Sequence, residues 1–241
     1  MPTGDQFAGL EPFAQVKRAI VVCAHADDME TMMGGLAALL NERGVALYEL
    51  ICTKGDTGTH DLLFTRDSLA ETRRTEARAG AALLGFREIE MLDYGDGELE
   101  PSLALRAIIA SFYRRWQTDA LFTFDPSWAG QIHPDHRAVG RAALDALIPS
   151  RMEFYYPEQL VNGAAVGKVG NVFLFSPATT DLYVDVTDIY PRKIAASLAH
   201  KSQFPDGEKS LEWMRRLDTE AAKQAGREGN LFERFGQIRL W

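Results

Sequence analysis

The sequence of 241 residues predicts an α/β fold, a Rossmann-like, mostly parallel β-sheet flanked by helices. Short continuous apolar runs, typical of strands buried on both faces, alternate with longer segments that carry apolar residues at helical spacing. Strand–helix repetition of this kind implies right-handed crossovers between parallel strands. Because no internal repeat or linker interrupts the pattern, we expect residues 1–241 to form one domain.

The first half of the chain gives the clearest elements. Residues 19–24 form an apolar run, and residues 29–40 have helical spacing until Gly44 ends the helix. A second strand is predicted at 45–53. After a polar, Gly-containing loop, the Ala- and Arg-rich segment 68–84 is typical of a long helix ended by a glycine.

The remaining elements are shorter. They are predicted as a strand at 88–92, a turn-rich loop at 93–101, a helix at 102–116, a strand at 120–124 and a helix at 137–148. The C-terminal third is less regular. There we predict short strands near 153–156, 172–175 and 182–186, a helix at 191–201, and a polar tail.

Composition narrows the class of protein. Hydrophobic residues make up 46% of the chain and charged residues 25%, as in a globular domain with a full core. No segment approaches the apolar length of a transmembrane helix, and residues 1–16 lack the pattern of a signal peptide. We therefore expect a cytoplasmic protein that does not enter a membrane.

Charge and cysteine content narrow the class further. The formal net charge of -8 argues against binding to nucleic acid or anionic membranes, which requires clustered Lys and Arg. A small, neutral or modestly charged substrate is the better expectation. Cys23 and Cys52 lie in apolar runs, so we expect buried thiols, with no disulfide and no role in binding metal.

The first candidate site is the segment Ala24-His25-Ala26-Asp27-Asp28, between the first strand and its helix. His25 offers an imidazole and Asp28 a carboxylate three residues later, so both can reach one ion. Asp27 points elsewhere and suits a general base beside a metal-activated water. Taken alone, the segment fits helix capping by an aspartate equally well.

The second candidate site is His133-Pro134-Asp135-His136, which follows the strand at 120–124. Pro134 suits the first helical position, and His136 then lies on the same side as His133. Asp135 is a candidate member of the catalytic group, in which its carboxylate would orient one of the imidazoles. The alternative is a buried histidine paired with an aspartate.

Together the two segments predict a metal site at the carboxyl ends of the strands. His25, Asp28 and His136 would be the protein ligands, and a fourth position left for water is typical of catalytic rather than structural zinc. His133, close to the ion without binding it, suits a hydrogen bond to an oxyanion or proton donation to a leaving amine.

The chain resembles the PIG-L/LmbE family of zinc-dependent N-deacetylases. The family motif His-Pro-Asp-Asp appears at residues 25–28 as His-Ala-Asp-Asp, with Gly-Gly at 34–35, and the second motif, His-Pro-Asp-His, is intact at 133–136. Further similarities lie at residues 53–56, 73–76, 84–85 and 193–203. The resemblance covers roughly residues 18–203, and the two histidine motifs are fairly specific in combination.

This resemblance implies a ligand set and a mechanism. It implies zinc on His25, Asp28 and His136. Asp27 would be the general base, and His133 would assist the oxyanion or the leaving group. These roles agree with those derived from the residues themselves.

The residues expected to bind substrate rest on weaker signals. Arg73 and Asp96 align with positions that contact the sugar in family members, although an exposed arginine and a turn aspartate are common without such a role. Trp128 could stack on a sugar or acyl chain, or belong to the core. Ala26 replaces the usual proline, and the tyrosine by which some relatives polarise the carbonyl has no match here.

We expect a zinc-dependent N-deacetylase, with ferrous iron as the alternative metal, acting on a small acylated amino sugar of the N-acetylglucosamine type. The alternatives are an amidase for a larger acyl or thiol conjugate, a non-catalytic metabolite-binding module, and a ferrous oxygenase. A homo-oligomer is compatible with the sequence, since the C-terminal aromatic residues could form a contact between subunits. We favour the alternative that these residues cover the domain's own core. They are Trp213, Phe232, Phe235 and Trp241.

Overall fold

The computed structural model describes residues 9–240, in which one seven-stranded β-sheet is flanked by helices. The strands are β1 (Arg18–Cys23), β2 (Ala46–Thr53), β3 (Glu88–Tyr94), β4 (Ala120–Phe124), β5 (Asn171–Phe175), β6 (Leu182–Asp185) and β7 (Phe232–Arg239). The helices are α1 (Asp28–Glu42), α2 (Arg66–Leu84), α3 (Leu103–Trp116), α4 (Pro134–Asp145), α5 (Leu147–Arg151), α6 (Tyr190–Ser197) and α7 (Glu212–Gln224). Residues 1–8 and Trp241 lie outside the described residues. Residues 1–8 belong to the segment 1–16 that lacks a signal-peptide pattern, and Trp241 is one of the C-terminal aromatic residues expected to cover the core. None of the described helices is long and apolar enough to cross a membrane.

The sheet has the strand order β3-β2-β1-β4-β5-β7-β6, and the four pairings among the first five strands of this order are all parallel. β7 runs antiparallel between β5 and β6. The prediction of a Rossmann-like, mostly parallel sheet is therefore confirmed. The single domain over residues 1–241 stays a prediction.

The order of the strands decides where a ligand can bind. β1 lies between β2 and β4, and the strand order reverses between β1 and β4. The segments that follow these two strands therefore lie on either side of the reversal point. In open α/β sheets the crevice at such a point, outside the carboxyl ends of the strands, is the usual ligand site. Both histidine-containing segments follow these two adjacent strands.

The central strands are buried because both faces of the sheet are covered. The five residues from Ala19 to Cys23 in β1 and all five residues of β4 have no exposed surface. This is the reason why these strands are continuous apolar runs in the sequence rather than alternating ones. Cys23 and Cys52 are buried free thiols, as expected.

Helix α1 is bent where the sequence has its two glycines. Met33 departs from helical geometry, with φ −144°, and Glu233 of β7 accepts hydrogen bonds from the amides of Gly35 and Leu36 at 2.8 and 2.7 Å. A side chain at Gly35 would approach Val186 to 2.6 Å, so glycine is needed for this close packing.

Two predictions for the C-terminal third are wrong. No strand forms near 153–156, and the polar tail contains α7 and β7. In the first case Arg114, which is buried, donates hydrogen bonds to five carbonyl oxygens of this region. They belong to Pro149, Ser150, Met152, Tyr155 and Tyr156. Their carbonyl groups are therefore satisfied without a neighbouring strand.

The strand β7 was missed because its buried face is not purely apolar. Phe232 and Phe235 are buried, but so is Glu233, whose carboxylate lies 2.9 Å from the ammonium group of Lys193. Asp218 of α7 binds the same ammonium group at 2.8 Å. A buried cluster of charged side chains replaces apolar packing here, so the sequence shows no hydrophobic periodicity in this region. The predicted helix at 137–148 likewise begins earlier and is divided into α4 and α5.

Helix α4 packs so closely on β4 that only glycine fits at position 140. A Cβ atom on Gly140 would lie 2.3 Å from the carbonyl oxygen of Phe124, and a backbone atom cannot give way. We expect Gly140→Ala to lower the free energy of unfolding by about 1–3 kcal/mol, measured by urea denaturation. Gly170→Ala is the matched control, since the nearest atom there is 3.8 Å away. Equal stability losses in the two variants would contradict this packing.

Candidate metal centre

The two histidine-containing segments meet at the carboxyl ends of β1 and β4. His25 follows β1, and Asp28 begins α1. Pro134 is the first residue of α4 and His133 its N-cap, as predicted, with the imidazole Nδ1 accepting a hydrogen bond from the amide of Asp135 at 3.2 Å. Since β1 and β4 are paired, the short turns after them bring these side chains into one cluster.

Three donor atoms converge in this cluster. His25 Nδ1 lies 3.2 Å from His136 Nε2, and His136 Nε2 lies 3.1 Å from Asp28 Oδ1. The other oxygen of Asp28 lies 3.6 Å from His25 Nδ1. Ligands bonded to one tetrahedral zinc ion at about 2.05 Å are separated by about 3.3 Å. The His25–His136 and His136–Asp28 spacings therefore fit a single ion of this kind. Two other sets also place their donor atoms within 4.8 Å of one another, namely His25 with His133 and His136, and His25 with Asp96 and Asp135.

The second nitrogen of His25 fixes which nitrogen is free to bind. His25 Nε2 lies 3.2 Å from Asp135 Oδ2 and 3.3 Å from Asp96 Oδ1. In the neutral imidazole, a proton on Nε2 would satisfy these carboxylates and leave the lone pair of Nδ1 toward the cluster. Such a partner on the far nitrogen is typical of histidines that bind metals.

The other two ligands are also held in place by their surroundings. Asp28 Oδ2 accepts hydrogen bonds from the amides of Ala24 and His25 at 3.0 and 2.8 Å, which leaves Oδ1 facing His136. The ring of His136 stacks on Phe124 with 3.9 Å between the ring centres and 8° between their planes. These contacts hold both side chains in place within the cluster.

The charges of the site favour a cation. Burial on its own lowers the pKa of His25, but hydrogen bonds with Asp135, Asp28 and Asp96 outweigh it and raise the pKa to about 12. Interaction with His136 and His25 likewise holds the pKa of Asp28 well below its usual range, against the effect of burial. The carboxylates therefore favour positive charge at this point, which either a proton or a metal ion supplies.

Asp135 is a positioning residue in this geometry. Its side chain has no exposed surface. Oδ2 accepts a hydrogen bond from the amide of Gly97 at 2.7 Å, and Oδ1 accepts one from Leu99 at 3.2 Å. Asp135 therefore links the loop after β3 to the imidazole of His25, and its orienting role stays a prediction.

Asp27 lies beside the three donors without joining them. Its backbone has φ 136°, a conformation that residues other than glycine rarely adopt and that often marks functional sites. The guanidinium of Arg73 donates to Asp27 Oδ1 at 2.9 Å and to the carbonyl of Ala26 at 2.8 Å. Burial raises the pKa of Asp27, Arg73 opposes this change, and Asp28 adds to it.

Arg73 and Asp96 are not the solvated residues that the alternative interpretation supposed. Arg73 is 2% exposed and Asp96 is 9% exposed. The distance between Arg73 Nη1 and Asp96 Oδ2 is 4.0 Å. Burial raises the pKa of Asp96, but His25 and Arg73 outweigh it and lower the pKa to about 2, so this carboxylate is charged at neutral pH.

His133 lies next to the imidazoles of His25 and His136. The distance from its ring centre is 4.6 Å to His25 and 4.7 Å to His136. Burial lowers the pKa of His133, and positive charge on His25 and His136 lowers it further. Since Nδ1 accepts the Asp135 amide, a neutral His133 carries its proton on Nε2 and can donate it in a hydrogen bond.

These side chains line a groove of about 460 Å³. Of the predicted site residues, the groove lining includes His25, Asp27, Asp28, Arg73, Asp96, His133 and His136. The prediction missed Thr57, Gln203, Phe204 and Trp213, which also line it. Gln203 belongs to the segment 193–203 that carried part of the family resemblance, whereas Trp213 lies in the tail that was taken for irregular.

Trp128 occupies a different place. Its ring lies over the backbone of Gly130, where an added Cβ atom would approach the ring to 2.5 Å. The lining of the groove, as far as the structure describes it, does not include Trp128. Substrate stacking by Trp128 stays a prediction.

Comparison with known proteins places this site among deacetylases. The family model described as GlcNAc-PI de-N-acetylase, PIG-L, matches residues 20–147. Diacetylchitobiose deacetylase of Thermococcus kodakarensis is 29% identical, with 81% of this chain and 73% of that protein covered. A probable N-acetyl-alpha-D-glucosaminyl L-malate deacetylase 2 of Bacillus anthracis is 28% identical, with 78% and 82% covered.

A solved structure agrees with both matches. The N,N'-diacetylchitobiose deacetylase from Pyrococcus horikoshii, complexed with its inhibitor MPG, superimposes with a TM-score of 0.89 and is 29% identical. The superposition covers 95% of this chain and 86% of that one.

Removal of one donor should abolish stable metal binding. We expect wild-type protein loaded with zinc and then dialysed to retain about one ion per chain, as the three-ligand site requires, and His136→Ala to retain far less. Elemental analysis by mass spectrometry measures both. His60→Ala, a change at an exposed histidine, is the control and should retain the ion. A full equivalent of zinc in His136→Ala would contradict the ligand assignment.

Loss of the carboxylate behind His25 should weaken the site without removing a ligand. For Asp135→Asn we expect the Kd for zinc to rise about 10- to 100-fold, the usual effect of losing such a partner. Competition with a chromophoric chelator gives the Kd. Asp145→Asn, at the last residue of α4, where Asp145 pairs with Arg141, should leave the Kd unchanged. An unchanged Kd in Asp135→Asn would mean that His25 does not need this carboxylate for orientation.

Proposed function

Because this chain belongs to the PIG-L family of de-N-acetylases, we propose that it is a metal-dependent hydrolase that removes the N-acetyl group from an amino sugar of the N-acetylglucosamine type. The observation that carries the proposal is the convergence of three donor atoms beside a carboxylate that is not one of them. A base next to a metal, rather than on it, is what hydrolysis requires. The activities of the relatives, which deacetylate diacetylchitobiose and N-acetyl-alpha-D-glucosaminyl L-malate, support the same class of substrate.

Zinc is the metal we propose for His25, Asp28 and His136. Two imidazoles and one carboxylate are a common ligand set of catalytic zinc, and the same set binds ferrous iron in other enzymes, so iron remains the alternative. When bound, such an ion polarises a carbonyl group and lowers the pKa of water. The base beside it favours hydrolysis over oxygen chemistry.

Asp27 is the general base in this proposal. Its carboxylate takes a proton from the attacking water as the water oxygen forms a bond to the acetamide carbonyl carbon. When the carbon–nitrogen bond breaks, Asp27 returns that proton to the departing amine, which leaves acetate and a free amino sugar. Arg73 holds Asp27 Oδ1, so the other oxygen is free to exchange the proton. The raised pKa of Asp27 makes its carboxylate a better base.

His133 stabilises the oxyanion in this proposal. A neutral imidazole with its proton on Nε2 donates a hydrogen bond and has no spare proton to lose, so oxyanion stabilisation suits it better than proton donation to the amine. No tyrosine is among the described residues that line the groove. His133 therefore takes the place of the tyrosine that some family members use.

Arg73 and Asp96 bind the sugar hydroxyls in this proposal. Asp96 is a charged acceptor, and it faces the same groove as the guanidinium of Arg73. At about 460 Å³ the groove is within the range of small-molecule sites. A substrate with a larger acyl group would use the same metal centre. Which acyl group the enzyme removes is therefore decided by assay.

Acetate release tests the proposed function. Zinc-reconstituted protein should release acetate from at least one N-acetylglucosamine derivative, and Asp27→Asn should lower kcat by about 10²- to 10⁴-fold, as loss of a general base does. Coupled enzymatic detection of acetate gives the rate, and elemental analysis should find zinc still bound to the variant.

Asp93→Asn is the control, since Asp93 lies on the surface and pairs with Arg74. Its kcat should match that of the wild type. Bound zinc without release from any acetamide would favour a larger acyl group or a metabolite-binding module. Undiminished kcat in Asp27→Asn would refute the role of this residue.

A further inference from the structure

Two parts of the chain to which the proposed reaction assigns no role meet beside the metal groove. Glu76 lies on α2, three residues after Arg73, and the turn from His200 to Gln203 follows α6. Both lie in segments that carry part of the family resemblance, residues 73–76 and 193–203. Their contacts with each other indicate what they contribute to the site.

A chain of hydrogen bonds runs from Glu76 to Gln203. The carboxylate of Glu76, which is 9% exposed, accepts from the amide of Ser202 at 2.8 Å and from the Ser202 hydroxyl at 2.6 Å. The side-chain nitrogen Nε2 of Gln203 donates to the same hydroxyl at 3.1 Å. The Ser202 hydroxyl therefore links the buried face of α2 to a residue that lines the metal groove.

The direction of this chain determines the orientation of the Gln203 side chain. A hydroxyl group has one proton to donate and a carboxylate only accepts, so the proton of Ser202 goes to Glu76. Toward Gln203 the hydroxyl can then only accept, and it needs the NH₂ group of the side-chain amide as its partner. The oxygen Oε1 of Gln203 is thereby left for the groove.

The backbone of the turn is held from a second direction. The carbonyl of His200 accepts hydrogen bonds from the amides of Gln203 and Phe204, both at 3.0 Å. The imidazole Nε2 of His200 lies 3.0 Å from Glu30 Oε1 of α1, and both side chains are buried. Contacts with α1 and α2 therefore fix the place from which the side chain of Gln203 extends.

Gln203 Oε1 faces the same space as the two residues proposed to bind the sugar. A Cβ atom on Gly58 would lie 2.6 Å from Arg73 Nη1. It would lie 3.4 Å from Gln203 Oε1 and 3.5 Å from Asp96 Oδ2. One donor and two acceptors thus surround a point that glycine leaves open, and a hydroxyl group, which both accepts and donates, matches this set.

We propose that Glu76 and Ser202 are positioning residues for the reaction. Through the direction of their hydrogen bonds they keep the oxygen of the Gln203 side chain, and not its nitrogen, facing a hydroxyl group of the substrate. The inference rests on the proposed function and adds a requirement to it, namely that residue 203 presents an acceptor.

Reversal of the chain is the first test. In Glu76→Gln the amide oxygen still accepts from the amide of Ser202, and the NH₂ group donates to the Ser202 hydroxyl. The hydroxyl proton then turns to Gln203, whose side-chain amide rotates and presents a donor to the substrate. For the N-acetylglucosamine derivative that the zinc-loaded enzyme deacetylates fastest, we expect KM to rise about tenfold, the effect of losing one hydrogen bond. kcat should stay within about threefold of the wild type, because the change spares Asp27 and the metal ligands.

A second substitution should restore the contact. Glu76→Gln combined with Gln203→Glu keeps the net charge, gives the hydroxyl proton a carboxylate partner and again presents an acceptor to the substrate. KM should return to within about threefold of the wild type. Gln203→Glu alone places one hydroxyl proton between two carboxylates and should raise KM about tenfold.

Glu71→Gln, a change at an exposed glutamate of α2, is the matched control and should leave KM and kcat unchanged. A KM that Glu76→Gln does not alter overturns the proposal. A double variant no better than the two single variants also overturns it, since a merely structural role of Glu76 predicts no rescue.

A binding measurement separates this proposal from the proposed function. Calorimetry gives the Kd of N-acetylglucosamine for zinc-loaded Asp27→Asn proteins that carry the same changes at positions 76 and 203. If no acetamide is hydrolysed, the proposed function fails, and a Kd that rises in Glu76→Gln and recovers in the double variant still supports the positioning role. A Kd that Glu76→Gln leaves unchanged, in proteins that circular dichroism shows to be folded, overturns this role even if acetate is released.

Discussion

Three carboxylates converge on the imidazole of His25, and the site depends on this concentration of charge. Asp28, Asp96 and Asp135 lie within 3.6 Å of its two nitrogens, and all of them are largely buried. Buried carboxylates are costly unless a cation or several hydrogen-bond donors compensate them. The elements that supply these side chains, namely β1 with α1, the loop after β3, and α4, are thereby drawn to one point. A proton on His25 or a metal ion between the donors provides the missing positive charge.

The same electrostatic requirement extends to the residues around the centre. Arg73 lies beneath Asp27, donates to the carbonyl group that precedes it, and faces Asp96. This buried guanidinium holds the strained backbone before Asp27 and balances the charge of the Asp27 carboxylate. Such backbone strain persists only where the surrounding structure fixes it. The departure of Ala26 from the family's proline is consistent with this arrangement, because the guanidinium holds the carbonyl group of Ala26 in place. From Arg73 the helix α2 continues to Glu76, which accepts hydrogen bonds from the amide and the hydroxyl of Ser202.

Much of this arrangement could be predicted from the sequence, and the exceptions have a physical cause. β1 and β4 are recognisable because burial on both faces leaves only apolar residues, and the polar segments that follow them mark the ligand-binding edge of the sheet. β7 and α7 could not be recognised, because Lys193, Asp218 and Glu233 pack against one another as charges. The carbonyl groups of residues 149–156 bind Arg114, a partner over thirty residues away in the chain, which no local pattern indicates. In the site, sequence spacing predicted that the two histidine-containing segments meet, but the burial of Arg73 and the groove residues Gln203 and Trp213 depend on tertiary packing.

A crystal structure of the zinc-loaded protein, with anomalous diffraction recorded on both sides of the zinc edge, tests the central claim most directly. The account predicts one anomalous peak per chain, about 2.0–2.2 Å from His25 Nδ1, His136 Nε2 and a carboxylate oxygen of Asp28, with Asp135 still bound to His25 Nε2. A peak bound by His133 or a peak between His25, Asp96 and Asp135 would contradict it. So would the absence of a peak when the protein binds one zinc ion per chain in solution.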